Sequence, residues 1–369
     1  RLLGAVLLEE ADPGVDGDDG ADDEGVDEVA EERRDGGGGD EDDDERLDEL
    51  IEAAAEGGLA PGRSPYSSWT SAPRRRQRWW RAPGICALMW RMRRDDDYER
   101  TRASWNVATR NHNRHKGDQA GALRAGRDPL FAEELALLGE LAGRSLVHLQ
   151  CNAGQDSLGL ARRGARVHGV DLSDEAIGFA RGLAAESGIE ASFERAEVVE
   201  WMRSTDARFD LAFSSYGAVG WLPELGPWAE GVARVLHPGG AFVYVEFHPL
   251  VWSVGKSFAL EGDSYFHEGA LEEPVGDYVA TSATGLGGTE GATPGENSIV
   301  APSWQHGLGA IVDALAGAGL SLERLVEYPH ANGCRVHPGL VAAEGRRWVW
   351  PAGVAAIPLM FGLRARRRE

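Results

Sequence analysis

The sequence predicts an α/β protein built on a doubly wound, mostly parallel sheet, with a disordered extension in front of it. Three observations carry that prediction. The run Ser145-Leu-Val-His-Leu-Gln-Cys-Asn-Ala-Gly-Gln-Asp156 reads as a buried strand that enters a tight turn and then a helix. A second strand, Arg166-Val-His-Gly-Val-Asp171, ends on a carboxylate. Beyond it, apolar strands and helical segments alternate, which implies a parallel sheet with right-handed crossovers covered on both faces.

The turn after the first strand is the most telling element. In dinucleotide-binding turns, glycines let the backbone approach a pyrophosphate and pack the helix on the strand. Here Gln150, Asn152 and Gly154 stand at the glycine spacing, and only the last is glycine. Asparagine tolerates left-handed backbone, so Asn152 can make the bend. Gln150 puts a side chain where a pyrophosphate needs room. S-adenosylmethionine carries no phosphate and needs less clearance, so the crowded turn favours a methyl donor over NAD. Asp171, with Leu172 beside it, closes the second strand where a carboxylate accepts hydrogen bonds from vicinal ribose hydroxyls. Ser173 just after it is a helix N-cap, with Asp174 and Glu175 complementing the dipole.

The remaining elements follow in order. A helix over about 174–187 carries Ala176, Ile177, Ala180, Leu183 and Ala184 at helical spacing and stops at Gly188. A strand over 191–197 comes next, then the strand Phe209–Tyr216, a helix through 228–236, a Pro238-Gly-Gly240 turn and the apolar strand 241–247. Ligands in such sheets sit beyond the carboxyl ends of the strands. Residues 150–154, Asp171, Glu197, 214–216 and 246–248 all fall there. Their convergence outweighs any one of them.

As an ordered set, these residues resemble the class I S-adenosylmethionine-dependent methyltransferases of small-molecule type. The set comprises the loop at 150–154, Asp171, Glu197 after the third strand, the strand ending at Ser214–Tyr216, and Leu236-His-Pro-Gly-Gly240 before the fifth. The segment from Trp105 to Gly117 looks like a leading helix that closes over the cofactor. Residues 322–328 and 358–365 look like a sixth strand and an antiparallel seventh, so the resemblance implies a seven-stranded Rossmann-like sheet over about 98–367. It also implies that Gln150, Cys151, Asn152, Gly154, Asp171, Leu172, Glu197, Val198 and Ser214 surround S-adenosylmethionine, with Glu197 near the adenine amino group and Val198 against the ring. Two positions depart from the pattern. His148 stands where the family commonly has an acid, and Gln150 and Asn152 stand where it has glycines. Gln150 is a candidate to bond the methionine end; Cys151 is expected to be a packing residue, since nothing near it in sequence would activate a thiol.

Methyl transfer asks little of a protein, because a sulfonium is already an activated electrophile and in-line placement does most of the work. Tyr216 is the candidate to line the methyl path. Glu246 and His248, at the end of the fifth strand, are the candidate bases if the acceptor has a proton to lose. Residues 98–127 and the glycine- and aromatic-rich stretch 250–305 are expected to cover the substrate, through Trp105, His115, Lys116, Trp252 and Tyr265. His267, Glu268 and Glu272 lack the spacing of a metal site, and no metal is expected.

Composition bounds the rest. Residues 1–50 hold 22 acids against 4 arginines, so most of the formal charge of −22 sits in a glycine-rich stretch expected to be disordered, with at most a short helix near 46–56. From Pro73 to Arg94 the sign reverses and tryptophan interleaves with arginine. That pattern suits RNA stacking and phosphate contact or an anionic membrane surface, and its plainer reading is an unstructured extension produced by a misplaced gene start. Domain boundaries are thus expected at 1–97 for the extension and 98–369 for the enzyme. Three scattered cysteines suit a reducing cytoplasm better than a disulfide framework, and no apolar run approaches the ~20 residues of a membrane helix. The expected partner is a small-molecule methyl acceptor, not nucleic acid or membrane. Two alternatives stand beside the methyltransferase reading: an NAD(P)-linked Rossmann oxidoreductase, which lacks its other loop glycines and a Tyr-x-x-x-Lys pair here, and an RNA-binding protein using residues 73–94.

Overall fold

A computed structural model describes residues 85–262, 264–282 and 292–369, with side chains from Arg94 onward. The acidic run 1–50, the helix expected near 46–56 and the basic stretch up to residue 84 lie outside the described residues.

The sheet forms as the alternation requires. Strands β1 (Ser145–Leu149), β2 (Arg166–Asp171), β3 (Ser192–Arg195), β4 (Phe209–Ser215) and β5 (Leu236–Phe247) pair in parallel, in the order β3-β2-β1-β4-β5. Two later strands, β8 (Leu320–Tyr328) and β12 (Met360–Arg367), complete seven, with β12 antiparallel to both β5 and β8. The order β3-β2-β1 turns back at β1 and continues through β4, so β1 is the switch point at which a crevice opens above the strand ends.

Period-two alternation sends β1 side chains to opposite faces. Val147 and Leu149 join a core with Trp228, Phe242 and Tyr244, while Leu146 joins another with Leu138, Phe213 and Val245. Helices α4 (Gln155–Arg162), α5 (Asp174–Ser187), α6 (Val198–Ser204) and α7 (Leu225–Val235) link the parallel strands. Helix α5 starts and stops where its residues dictate: the Ser173 hydroxyl accepts from Ala176 N at 3.1 Å, and Gly188 ends it at φ 70°. The Pro238-Gly-Gly240 turn differs from expectation by lying within β5, where pairing with β4 slips between Phe209 and Leu211.

Helix α1 (Ile85–His115) is less legible. It has no apolar stripe, and a helix polar all round must be held by ion pairs or by docking. Both occur. Asp97 pairs with Arg100 at 2.7 Å and Glu99 with Arg102 at 2.6 Å along the helix. Arg102 and Arg110 reach Asp174 and Glu175 in the first turn of α5, and Ser173 Oγ donates to Asn106 Oδ1 at 2.7 Å. The boundary expected between residues 97 and 98 therefore falls inside a continuous helix, and the end of the basic stretch, from Ile85, belongs to it.

The remaining elements add to the faces of the sheet and to its strand ends. Helices α2 (Gln119–Arg124) and α3 (Ala132–Leu138) precede β1. Between β5 and β8 come a hairpin of β6 (Ala270–Pro274) and β7 (Val300–Trp304), the short α8 (Tyr278–Ser282) and α9 (Leu308–Gly317). Between β8 and β12, a small antiparallel sheet is made of β9 (His330–Asn332), β10 (Val341–Ala343) and β11 (Arg347–Val349). Among the described residues no helix is long and apolar enough to cross a membrane.

Candidate active site

The turn after β1 explains its own sequence. Gln150, Asn152 and Gly154 lie at φ 55°, 48° and 77°, so every second residue is left-handed. That conformation costs a non-glycine residue roughly 1–2 kcal/mol. Gln150 recovers part of this by donating from Nε2 to Ala218 O at 2.7 Å, which ties the turn to the end of β4; its Oε1 has no partner. Asn152 Oδ1 accepts from Ala153 N at 2.6 Å. Gly154 serves packing, because a Cβ there would lie 2.7 Å from Ala180 and 3.0 Å from Phe193. It caps α4 and does not line the cavity. Cys151 is buried, and burial raises its thiol well above the ordinary range, so it stays a neutral packing group.

Gln150, Cys151 and Asn152 form one wall of a cavity of about 1460 Å³ counting its open mouth. Asp171 sits at the end of β2 on the same wall. Its Oδ2 accepts from Asn152 N and its Oδ1 from Ser173 N, both at 2.8 Å. Each oxygen keeps a lone pair for a further donor. Burial raises this carboxyl to about 6 against those backbone bonds, so it enters the neutral range ionised and poorly solvated. Leu172 and Val198 supply apolar surface beside it. Glu197 caps α6, accepting from Val199 N at 2.9 Å and Glu200 N at 2.8 Å, and also lines the cavity. From above, α1 lays Tyr98, Thr101 and Trp105 across the opening. The Thr101 hydroxyl is buried without a partner. These residues fit an adenosine: a carboxylate with free lone pairs for the ribose and apolar faces for the base.

The opposite end of the cavity is built around Tyr216, held at φ 41° just past β4. Its hydroxyl donates to the fully buried Glu134 and accepts from Asn332 Nδ2 at 3.1 Å. Glu134 also accepts from Phe131 N at 3.0 Å, and burial raises its carboxyl well above the usual range. Glu133 beside it takes His330 at 2.9 Å and Arg347 at 2.5 Å, so α3 and the small sheet are pinned together.

Other expected residues lie elsewhere. Glu246 does not reach the cavity. It is buried and accepts from Gly217 N, Ala218 N, Phe247 N and the Tyr244 hydroxyl at 2.5, 2.9, 2.7 and 2.7 Å. A carboxylate holding four donors fixes the 216–218 turn and has no lone pair left for a proton. His248 points to a separate groove, paired with Glu327 at 3.0 Å. Ser214 is fully buried and bonded to Leu149 O at 3.4 Å. Of the expected cover, Trp105 and Lys116 line the cavity. His115 instead pairs with Asp277 at 3.1 Å, Trp252 packs with Phe247 and Trp350, and the Tyr265 hydroxyl receives Leu308 N at 3.0 Å. From the described part of 250–305, Tyr278 alone lines the cavity. The small sheet does the covering through Asn332, Gly333, Cys334 and Arg346. Sequence reasoning also passed over Asp156, which sits one residue past the first position of α4 and faces the cavity.

Part of the chain is similar to known methyltransferases. A family model described as "Methyltransferase domain" matches residues 147–240. The chain is 34% identical over 118 residues to a ubiquinone biosynthesis O-methyltransferase of Alkalilimnicola ehrlichii, covering 32% of this chain and 47% of that protein. It is 36% identical over 110 residues to a malonyl-[acyl-carrier protein] O-methyltransferase of Pseudescherichia vulneris, covering 30% and 41%. The chain thus spans about half the length of the relatives it matches. An S-adenosylmethionine-dependent methyltransferase structure from Mesorhizobium loti aligns at 23% identity and a TM-score of 0.42, over 63% of this chain and 94% of that one. The segment that builds the cavity's first wall, from β1 to the turn within β5, is thus the part of the chain that matches a methyltransferase-domain family model.

Proposed function

We propose that this protein transfers a methyl group from S-adenosylmethionine to a small-molecule acceptor. The observation that carries the reading is Asp171: a buried carboxylate at the end of β2, oriented by two backbone N–H groups and open to the cavity on its remaining lone pairs. When bound, the cofactor supplies a methyl on sulfonium, an electrophile that needs no further activation.

The chain's own residues then have three tasks. Asp171 grips the ribose, and Val198 and Leu172 receive the base, with Glu197 at its edge. Tyr216, Phe131 and Asn332 place the acceptor nucleophile in line with the methyl, which is most of what such a transfer requires. Helix α1 and the small sheet exclude water and limit the acceptor to a small molecule. The strained backbone at Tyr216 is stabilised by Glu246 through Gly217 N and Ala218 N, so Glu246 is a positioning residue. Backbone strain of this kind persists only where surrounding contacts over-determine it.

Isothermal titration of the full chain tests the reading. S-adenosylhomocysteine binding without NADH binding is the expected result; NADH binding without S-adenosylhomocysteine binding overturns it in favour of an oxidoreductase.

A further inference from the structure

Gln150, the candidate for the amino-acid end of the cofactor, spends its Nε2 on Ala218 O and brings no charge, so it can meet neither charge of that end with an opposite one. His148 stands at the end of β1, but Ser157 Oγ lies 2.8 Å from its Nδ1 and Ser215 Oγ 3.4 Å from its Nε2, and burial keeps the ring neutral. It offers neither charge.

Two charged groups of the cavity wall are unused. Among the lining carboxylates, Asp171 and Glu197 accept backbone N–H groups, whereas Asp156 has no hydrogen-bonding partner among the described residues. Among the lining cations, Arg346 donates to Asp128 O and Pro129 O and lies 4.3 Å over the Phe131 ring. Lys116, at the end of α1, has no hydrogen-bonding partner among the described residues, although it is only 9% exposed. Each feels the other's charge, yet they do not form an ion pair within 4.0 Å. Burying opposite charges without direct partners is costly unless a ligand completes them. A zwitterion with both charges on one carbon does so.

We infer that Asp156 and Lys116 hold the amino-acid end of S-adenosylmethionine, Asp156 taking its ammonium and Lys116 its carboxylate, in place of the acid missing at His148. This rests on the proposed function. Asp156 follows directly on the cofactor turn, in the first helical turn of α4, and Lys116 closes over it from the end of α1. The ligand therefore ties the lid helix to the floor of the site through its own charges.

The test compares two ligands with the same nucleoside: S-adenosylhomocysteine, which carries the amino acid, and methylthioadenosine, which lacks it. The wild-type full chain is expected to bind the former more tightly. Asp156→Asn and Lys116→Met are each expected to weaken S-adenosylhomocysteine by about 10- to 100-fold, the range of one charge-assisted hydrogen bond. Both should leave methylthioadenosine within about twofold of wild type by the same reasoning, and Lys116→Arg should restore part of the loss. Equal weakening of both ligands, or no weakening of either, overturns the inference while leaving the cofactor reading intact. A wild-type chain that binds neither ligand overturns the cofactor reading and the inference with it.

Discussion

Asp171→Asn separates the cost of the site to the fold from its value to the ligand. The wild-type carboxylate can accept two ribose hydroxyls, and asparagine retains one acceptor oxygen. Losing one charge-assisted bond and weakening the other costs about 3 kcal/mol, or roughly 100-fold in affinity. The fold responds differently. Burial raises this carboxyl from 3.8 to about 6, so its ionised form costs the native state roughly 3 kcal/mol at neutral pH. Asparagine removes that cost but turns an amide N–H toward Asn152 N or Ser173 N, which returns about 1–3 kcal/mol. The two nearly cancel at neutral pH. A carboxyl with a raised folded pKa binds its proton more tightly in the native state, so its contribution is best at low pH and declines as pH rises from 3.8 to about 6. The melting temperature of the variant relative to wild type should therefore climb across that interval and level off above it. Calorimetry gives both quantities. An S-adenosylhomocysteine affinity within about threefold of wild type would refute the ribose assignment, and a pH-independent difference in melting temperature would refute the burial argument.

Three further outcomes follow from the same geometry. S-adenosylhomocysteine affinity should fall below about pH 6, where Asp171 and Asp156 take up protons, and again above about pH 8, where Lys116 loses its own between Asp156 and Asp277; methylthioadenosine should show the acid limb alone, and a flat profile for both ligands contradicts these roles. Gly154→Ala forces a side chain into Ala180 and Phe193 at φ 77° and should destabilise by about 2–5 kcal/mol on thermal melting, whereas an unchanged midpoint would contradict the packing role. Glu246→Gln should lower the melting temperature by roughly 2–12 °C, since one buried backbone N–H then meets an amide; a loss of turnover at unchanged stability would restore Glu246 as a base.

The sheet was legible because β1, β4 and the core of β5 are apolar runs bounded by turn residues, and the helix over 174–187 repeats apolar positions every third or fourth residue. The bend at Gln150, Asn152 and Gly154 was legible for a related reason: left-handed backbone leaves a spacing trace even when glutamine and asparagine fill it. Four features left no such trace. Helix α1 depends on ion pairs with α5 at separations of 65 and 72 residues, which no local pattern reports. The small covering sheet has three-residue strands whose stability comes from Glu133, 197 residues before His330 and 214 before Arg347. Glu246 stands at a strand end where both ligands and backbone turns are held, and sequence could not tell a base from a clamp. Only its four donors do. Asp156 occupies a first-turn position where an acid ordinarily complements the helix dipole; its lack of a partner is visible only in three dimensions.

A crystal structure of the full chain with S-adenosylhomocysteine measures the central claim most directly. The account predicts ribose hydroxyls within hydrogen-bonding distance of Asp171, with the nucleoside lying between the 150–154 turn and helix α1. A nucleoside lodged in another cavity, or Asp171 rotated away from the sugar, would contradict it.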